Sequence, residues 1–134
     1  MKLNLNFNAA DIPDKVAPVD PGEYDCTVDS VVLADAKGER KQSYDFAFTV
    51  QEGPNKGRKL FDGFPPEFLV DPNGSAAVRL GHLIKSAGIK PTGSEIDFDE
   101  FVGKTVRLTV THRTYTKDGV MQTAANVKDY IFKA

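Results

Sequence analysis

Apolar and polar residues alternate along most of this 134-residue chain, and the alternation predicts where its strands lie. The clearest case is the stretch 40–64, RKQSYDFAFTVQEGPNKGRKLFDGF, in which Tyr44, Phe46, Phe48 and Val50 recur every second residue. Ser43, Asp45, Ala47 and Thr49 stand between them, the period of a strand that buries one face. A Gly53-Pro54-Asn55 turn leads to a second run containing Leu60, Phe61 and Phe64. With Leu60 inward, Lys59 and Phe61 share the outer face. Upstream, Tyr24, Cys26 and Val28 oppose Asp25, Thr27 and Asp29, and the phase slips at Val31-Val32-Leu33, which predicts a bulge in a long first strand. Downstream, Val106, Leu108 and Val110 face one way; Thr105, Arg107, Thr109, Thr111, Arg113 and Tyr115 face the other. Lys117-Asp118-Gly119 is a strong hairpin turn into a last strand over roughly 120–132.

One segment has helical spacing instead. Ala76, Leu80, Leu83, Ile84 and Ala87 form an apolar stripe, with Arg79, His82 and Lys85 opposite and Gly88 as a stop. Asp71-Pro72 supplies a cap and first-turn proline, with Asn73 and Ser75 as rival caps. Asp97 and Glu100 have capping-box spacing for a short turn of helix closed by Gly103, with Phe98 and Phe101 facing the core. Residues 1–20 read as an extension. Leu3, Leu5 and Phe7 alternate with asparagines in the manner of a short edge strand, and Ile12-Pro13, Ala17-Pro18 and Asp20-Pro21 then interrupt regular structure.

Composition narrows the function classes. A chain that is 40% hydrophobic and 27% charged is an ordinary globular domain, and one domain accounts for its length. No apolar run approaches the ~20 residues that span a bilayer, and no secretory signal pattern opens the chain. The lone cysteine, Cys26, excludes an internal disulfide and reads as a small buried hydrophobe, in keeping with a reducing cytoplasm. With two histidines and one cysteine there is no zinc-site pattern, and no Gly-rich phosphate loop is present. Glu95, Asp97, Asp99 and Glu100 could hold Mg²⁺, but capping explains Asp97 and Glu100 more simply. No enzyme signature and no cofactor are expected. The net charge of −2 argues against a tightly clamping duplex binder. Cations nevertheless gather at 37–41, 56–59 and 104–117, away from acidic 11–29 and 95–100, so a single positive face is possible.

The element order is strand, strand, strand, helix, strand, strand. This is the order of the OB-fold, a five-stranded antiparallel barrel with its helix between strands 3 and 4, all-β apart from that helix. Its strand 2–3 face and loops 1–2 and 4–5 commonly bind oligonucleotides, and here those loops fall at 36–41 and 114–121. Pro21-Gly22-Glu23-Tyr24, Val50-Gln51-Glu52-Gly53-Pro54 with Gly57-Arg58, Ala87-Gly88, Phe101-Val102-Gly103-Lys104 and Asn126-Val127 together resemble phage-encoded OB-fold single-stranded-DNA-binding proteins. The likeness covers roughly residues 20–132, leaving 21–134 as the domain. It implies a sequence-tolerant binder of single-stranded DNA that acts in phage replication or recombination in the host cytoplasm, with replication or recombination proteins as further partners. The ending Tyr130-Ile131-Phe132-Lys133-Ala134 lacks the acidic tail of many such proteins, so tail-mediated recruitment is not expected.

The residues expected to track phosphates are Lys41, Lys56, Arg58, Lys59, Arg107, Arg113 and Lys117; those expected to stack bases are Phe61, Phe64 and Tyr115. A protein-interaction adaptor on the same barrel is the competing expectation. The outer face of strands 2 and 3 separates the two: exposed rings among cations favour nucleic acid, and a continuous apolar patch favours a protein.

Overall fold

A computed structural model describes residues 1–11, 17–38, 41–90 and 93–132. The expected proline break at Ile12-Pro13, the cation Arg40, and the final Lys133-Ala134 fall outside those residues.

Among the described residues five strands form one antiparallel sheet: β1 (Gly22–Ala34), β2 (Ser43–Val50), β3 (Lys59–Phe64), β4 (Thr105–Lys117) and β5 (Val120–Ile131). The spatial order is β3-β2-β1-β4-β5. β1 is shared, pairing its first half with β4 (Gly22 opposite Val110) and its second half with β2 (Ala34 opposite Ser43). The bulge lies at Asp29, because Val28 pairs with Phe48 and Ser30 with Ala47. Before it Cys26 and Val28 face inward; after it Val31, opposite Phe46, packs on the core and Val32 is exposed.

The helix α1 (Ser75–Ser86) stands between β3 and β4 in the chain and buries Ala76, Leu80, Leu83 and Ile84. Its N-cap is Gly74, not Asp71 or its rivals. The Asp71 carboxylate accepts from Asn73 N (2.9 Å) and its carbonyl from Gly74 N (3.0 Å), so Asp71 and Pro72 form a turn ahead of the helix. At the other end Gly88, at φ +76°, lets Ile89 N bond back to Ile84 O, the left-handed stop expected of glycine. No helix among the described residues is long and apolar enough to cross a membrane.

The core is aromatic. Phe46 meets Phe64, Phe101 and Phe98 edge-on, with centroids 5.3 to 5.9 Å apart, and Tyr44 stacks on Phe98 at 4.3 Å. Phe48, Leu60, Val106, Leu108 and Val110 complete it, as their alternation predicts. Tyr24 is only half-buried, because its hydroxyl reaches out to donate to Asp20 O (2.6 Å). Asp97 caps the short 3-10 turn Phe98–Phe101 by accepting from Asp99 N, and Phe101 is buried.

Two expectations need correction. The sheet curls but does not close into a barrel: β3 and β5 approach without forming a backbone ladder. Side chains span this seam instead. Tyr130 of β5 donates its hydroxyl to Asp62 Oδ2 (2.7 Å), and Arg79 of α1 reaches the same carboxylate (3.0 Å). Asp62, a residue of β3, thus joins its strand to both α1 and β5. The second correction concerns Leu3, Leu5 and Phe7, which are exposed and form no strand. What does dock is Ala17–Asp20. Arg58 donates to Ala17 O (2.6 Å), His112 bonds Val19 O (2.8 Å), and Val19 is buried beside the start of β1.

Candidate nucleic-acid interface

The outer face of the sheet carries the residues that alternate with the core. On β3 these are Lys59, Phe61 and Gly63; on β2, Asp45, Ala47 and Thr49; on β1, Asp25 and Thr27, with Asp29 at the bulge. Phe61 is 69% exposed because its cross-strand partner is the small Ala47, which cannot cover a ring. Beside it lies a shallow hollow of about 340 Å³ lined by Asp45, Phe61, Asp62 and Gly63. Gly63 keeps this hollow open: a Cβ there would lie 2.8 Å from Ser43 Oγ and 3.0 Å from Asp45 Oδ1. A carboxylate at its edge repels phosphate but accepts from the N–H groups of a base.

The same alternation decides against Phe64. It shares the parity of Leu60, is 0% exposed, and lies under the Arg79 guanidinium (4.8 Å to the ring centroid). A ring held in the core cannot stack a base, so Phe64 leaves the candidate set.

Most of the expected cations are already engaged. Lys59 Nζ pairs with Asp29 Oδ2 at 2.8 Å, and Thr49 hydrogen-bonds the same carboxylate. Burial pushes the Asp29 pKa up, but the Lys59 and Thr49 hydrogen bonds and the Lys59 charge outweigh it and hold the carboxyl below its usual range. Lys41 pairs with Glu67 and lies over the Phe68 ring. Arg107 bridges Glu23 (3.3 Å) and Asp25 (3.8 Å), while Arg58 is engaged by Ala17 O. Lys56, Arg113 and Lys117 have no ion pair among the described residues. Among the described residues the single positive face that the charge runs allow is therefore not assembled. Beyond the Lys59–Asp29 pair, toward the start of β4, the outer face carries uncharged polar side chains, where Gln51 Nε2 donates to Thr27 Oγ1 (2.8 Å) and Thr105 Oγ1 (3.0 Å).

The second cluster stands on the β4–β5 hairpin. Its turn is Asp118-Gly119, with φ +52° and +76°, and Lys117 pairs directly with Val120. Positive φ at both turn residues matches the twist of the flanking strands, so the ladder continues unbroken to the turn as an arm beyond the core. From Arg113 to Lys117 every residue of β4 is exposed. Arg113, Tyr115 and Lys117 share the arm's outer face; the Arg113 guanidinium lies over the Tyr115 ring at 5.6 Å, and Tyr115 is 37% exposed. Neither a protein-family model nor a curated protein matches this chain.

Sequence reasoning missed Asp29 as the partner of Lys59 and the hollow beside Phe61. It also missed the pair of His82 Nδ1 with Asp129 Oδ1 (2.8 Å), which makes His82 a half-buried link from α1 to β5 instead of a surface residue. Burial raises the Asp129 pKa, and the His82 and Tyr130 N hydrogen bonds outweigh that effect and hold it low. Asp97 is spent on its cap, and among the described residues no group of three His, Cys, Asp or Glu could hold a metal ion. Burial pushes the Cys26 thiol up to about 12, with the Asp25 and Asp29 charges adding to the shift, so it is not poised as a nucleophile.

Proposed function

We propose that this protein binds single-stranded DNA without sequence preference, in the service of phage replication or recombination, chiefly by stacking bases on its outer face. The observation that carries this reading is the pair of outward rings, Phe61 on β3 and Tyr115 on the β4–β5 arm, each with a cation beside it. Neither ring packs in the core, and each is worth about 1–3 kcal/mol if it stacks a base. The outer-face acids between them are each paired with a cation, Asp29 with Lys59 and both Glu23 and Asp25 with Arg107, which limits their repulsion of a passing strand. Electrostatics has a smaller part than the cation count of the sequence implies, since Lys41, Lys59 and Arg107 already face carboxylates.

A fluorescence titration with oligo-dT at two salt concentrations tests the reading. With Lys56, Arg113 and Lys117 as the available phosphate contacts, log Kd against log salt should have a slope of about 2, from ~0.7 per contact. Duplex of the same length should bind more weakly, because its bases are not open to stacking. Equal affinity for both, or no binding at low salt, would overturn it.

The protein-adaptor reading has one observation in its favour. Exposed Val70 and Ile96 rim an apolar groove of about 680 Å³ beside α1, floored by Leu80, Ile84 and Phe98. That groove lies away from the outer rings, so a failed oligonucleotide titration would shift attention to it.

A further inference from the structure

The free edge of β5 changes character along its length. From Val127 onward it is covered: Tyr130 crosses the seam to Asp62, Asp129 holds His82, and the extra residue Lys128 distorts the ladder between Thr109 and Val110. From Val120 to Asn126 no backbone partner lies on that side among the described residues. The stretch reads Val-Met-Gln-Thr-Ala-Ala-Asn, without a charge or proline. Those are the devices with which soluble proteins blunt an open edge.

The ladder dictates which groups are offered. Lys117 and Val120 flank a two-residue turn and exchange both hydrogen bonds, so successive residues of β5 alternate in direction. Met121, Thr123 and Ala125 therefore aim their N–H and C=O away from β4.

We infer that this edge pairs antiparallel with the same edge of a second copy of the chain, about a two-fold axis at Thr123. In that register Thr123 meets its own symmetry mate. Gln122 faces Ala124 and Met121 faces Ala125, a long side chain against a short one each time. Exposed Lys128 lies near the end of the partner's hairpin, whose turn carries Asp118, and neither has an ion pair within its own chain among the described residues. Moving the centre by one residue either way aims the central N–H and C=O at β4 instead of at the partner. The edge is thus complementary to itself in size and charge, as an isologous interface must be. The axis is perpendicular to the sheet, so the Arg113, Tyr115 and Lys117 rows of both copies share one face.

The pairing is independent of nucleic acid and is tested without it. Light scattering on the full chain at about 50 µM should give twice the chain mass. Thr123→Pro removes only an outward N–H, so it should give the monomer mass with an unchanged circular dichroism spectrum. Should that variant misfold, cross-linking decides. Cα atoms of a hydrogen-bonded antiparallel pair stand about 5.5 Å apart, within disulfide range. Oxidised Thr123→Cys should therefore run as a covalent dimer, whereas Ala124→Cys, which faces Gln122, should not; Cys26 is buried and does not compete. A monomeric wild type, a dimeric Thr123→Pro, or equal cross-linking at both positions would overturn the inference.

Discussion

The β4–β5 ribbon is one continuous pair of strands whose two halves are held by different physics. At its base Val106, Leu108, Val110, Val127 and Tyr130 are buried, α1 packs across it, and the Asp62–Arg79–Tyr130 cluster ties it to β3. Beyond Thr111 the arm is mostly exposed and rests on its turn, its ladder and contacts such as Arg113 over Tyr115. The base is over-determined, so its residues are explained by the fold. The arm is under-determined, and a ring such as Tyr115 that the fold does not require is where a binding role is to be sought.

That contrast can be broken most severely at the base. Leu108→Ala should cost about 2–5 kcal/mol in a urea titration, since the side chain is fully buried. The same titration on Tyr115→Ala should move little; a comparable loss would make the arm part of the cooperative core.

The seam comes next. Asp62→Ala strands the Arg79 guanidinium and the Tyr130 hydroxyl, and should cost about 2–3 kcal/mol because the cluster retains some solvent contact. Its pH dependence is distinctive. Burial raises the Asp62 pKa despite the Arg79 charge and the Tyr130 hydrogen bond. Its contribution is then fully present below the ordinary aspartate value of about 3.9 and lost as pH rises through the raised one. Asp29 and Asp129, held low, run the opposite way: their stabilisation is present above the ordinary value and lost as pH falls through theirs. Relative to Asp62→Asn, the wild type should therefore lose stability as pH rises above about 4. A constant difference across that range would refute the assignment.

The smallest effect sharpens the outer face. Asp29→Asn frees Lys59 for phosphate, so single-strand affinity should rise and the salt slope steepen by about 0.7. An unchanged slope would mean that Lys59 lies off the strand's path.

Local period made much of this legible. The alternation around Phe46 and Val106, the helical stripe and the Asp-Gly turn are short-range patterns, and each becomes the element it predicts. Parity alone also separates Phe61 from Phe64, once Leu60 is known to face inward. Local period cannot report which strands meet. Lys59 and Asp29 are 30 residues apart, and Asp62 and Tyr130 are 68 apart, so their pairing depends on register across the sheet. For the same reason the phase slip near Val31 announced a bulge without locating it at Asp29. Whether β3 and β5 close the barrel depends on the curl of the whole sheet, which no single strand encodes.

The account stands on the two outer rings. Oligo-dT affinity of Phe61→Ala and Tyr115→Ala, measured beside Arg113→Ala at two salt concentrations, tests it most directly. Each ring variant should lose about 1–3 kcal/mol of binding by a nearly salt-independent amount, while the Arg113 loss shrinks as salt rises. Wild-type affinity in both ring variants, with circular dichroism unchanged, would contradict it.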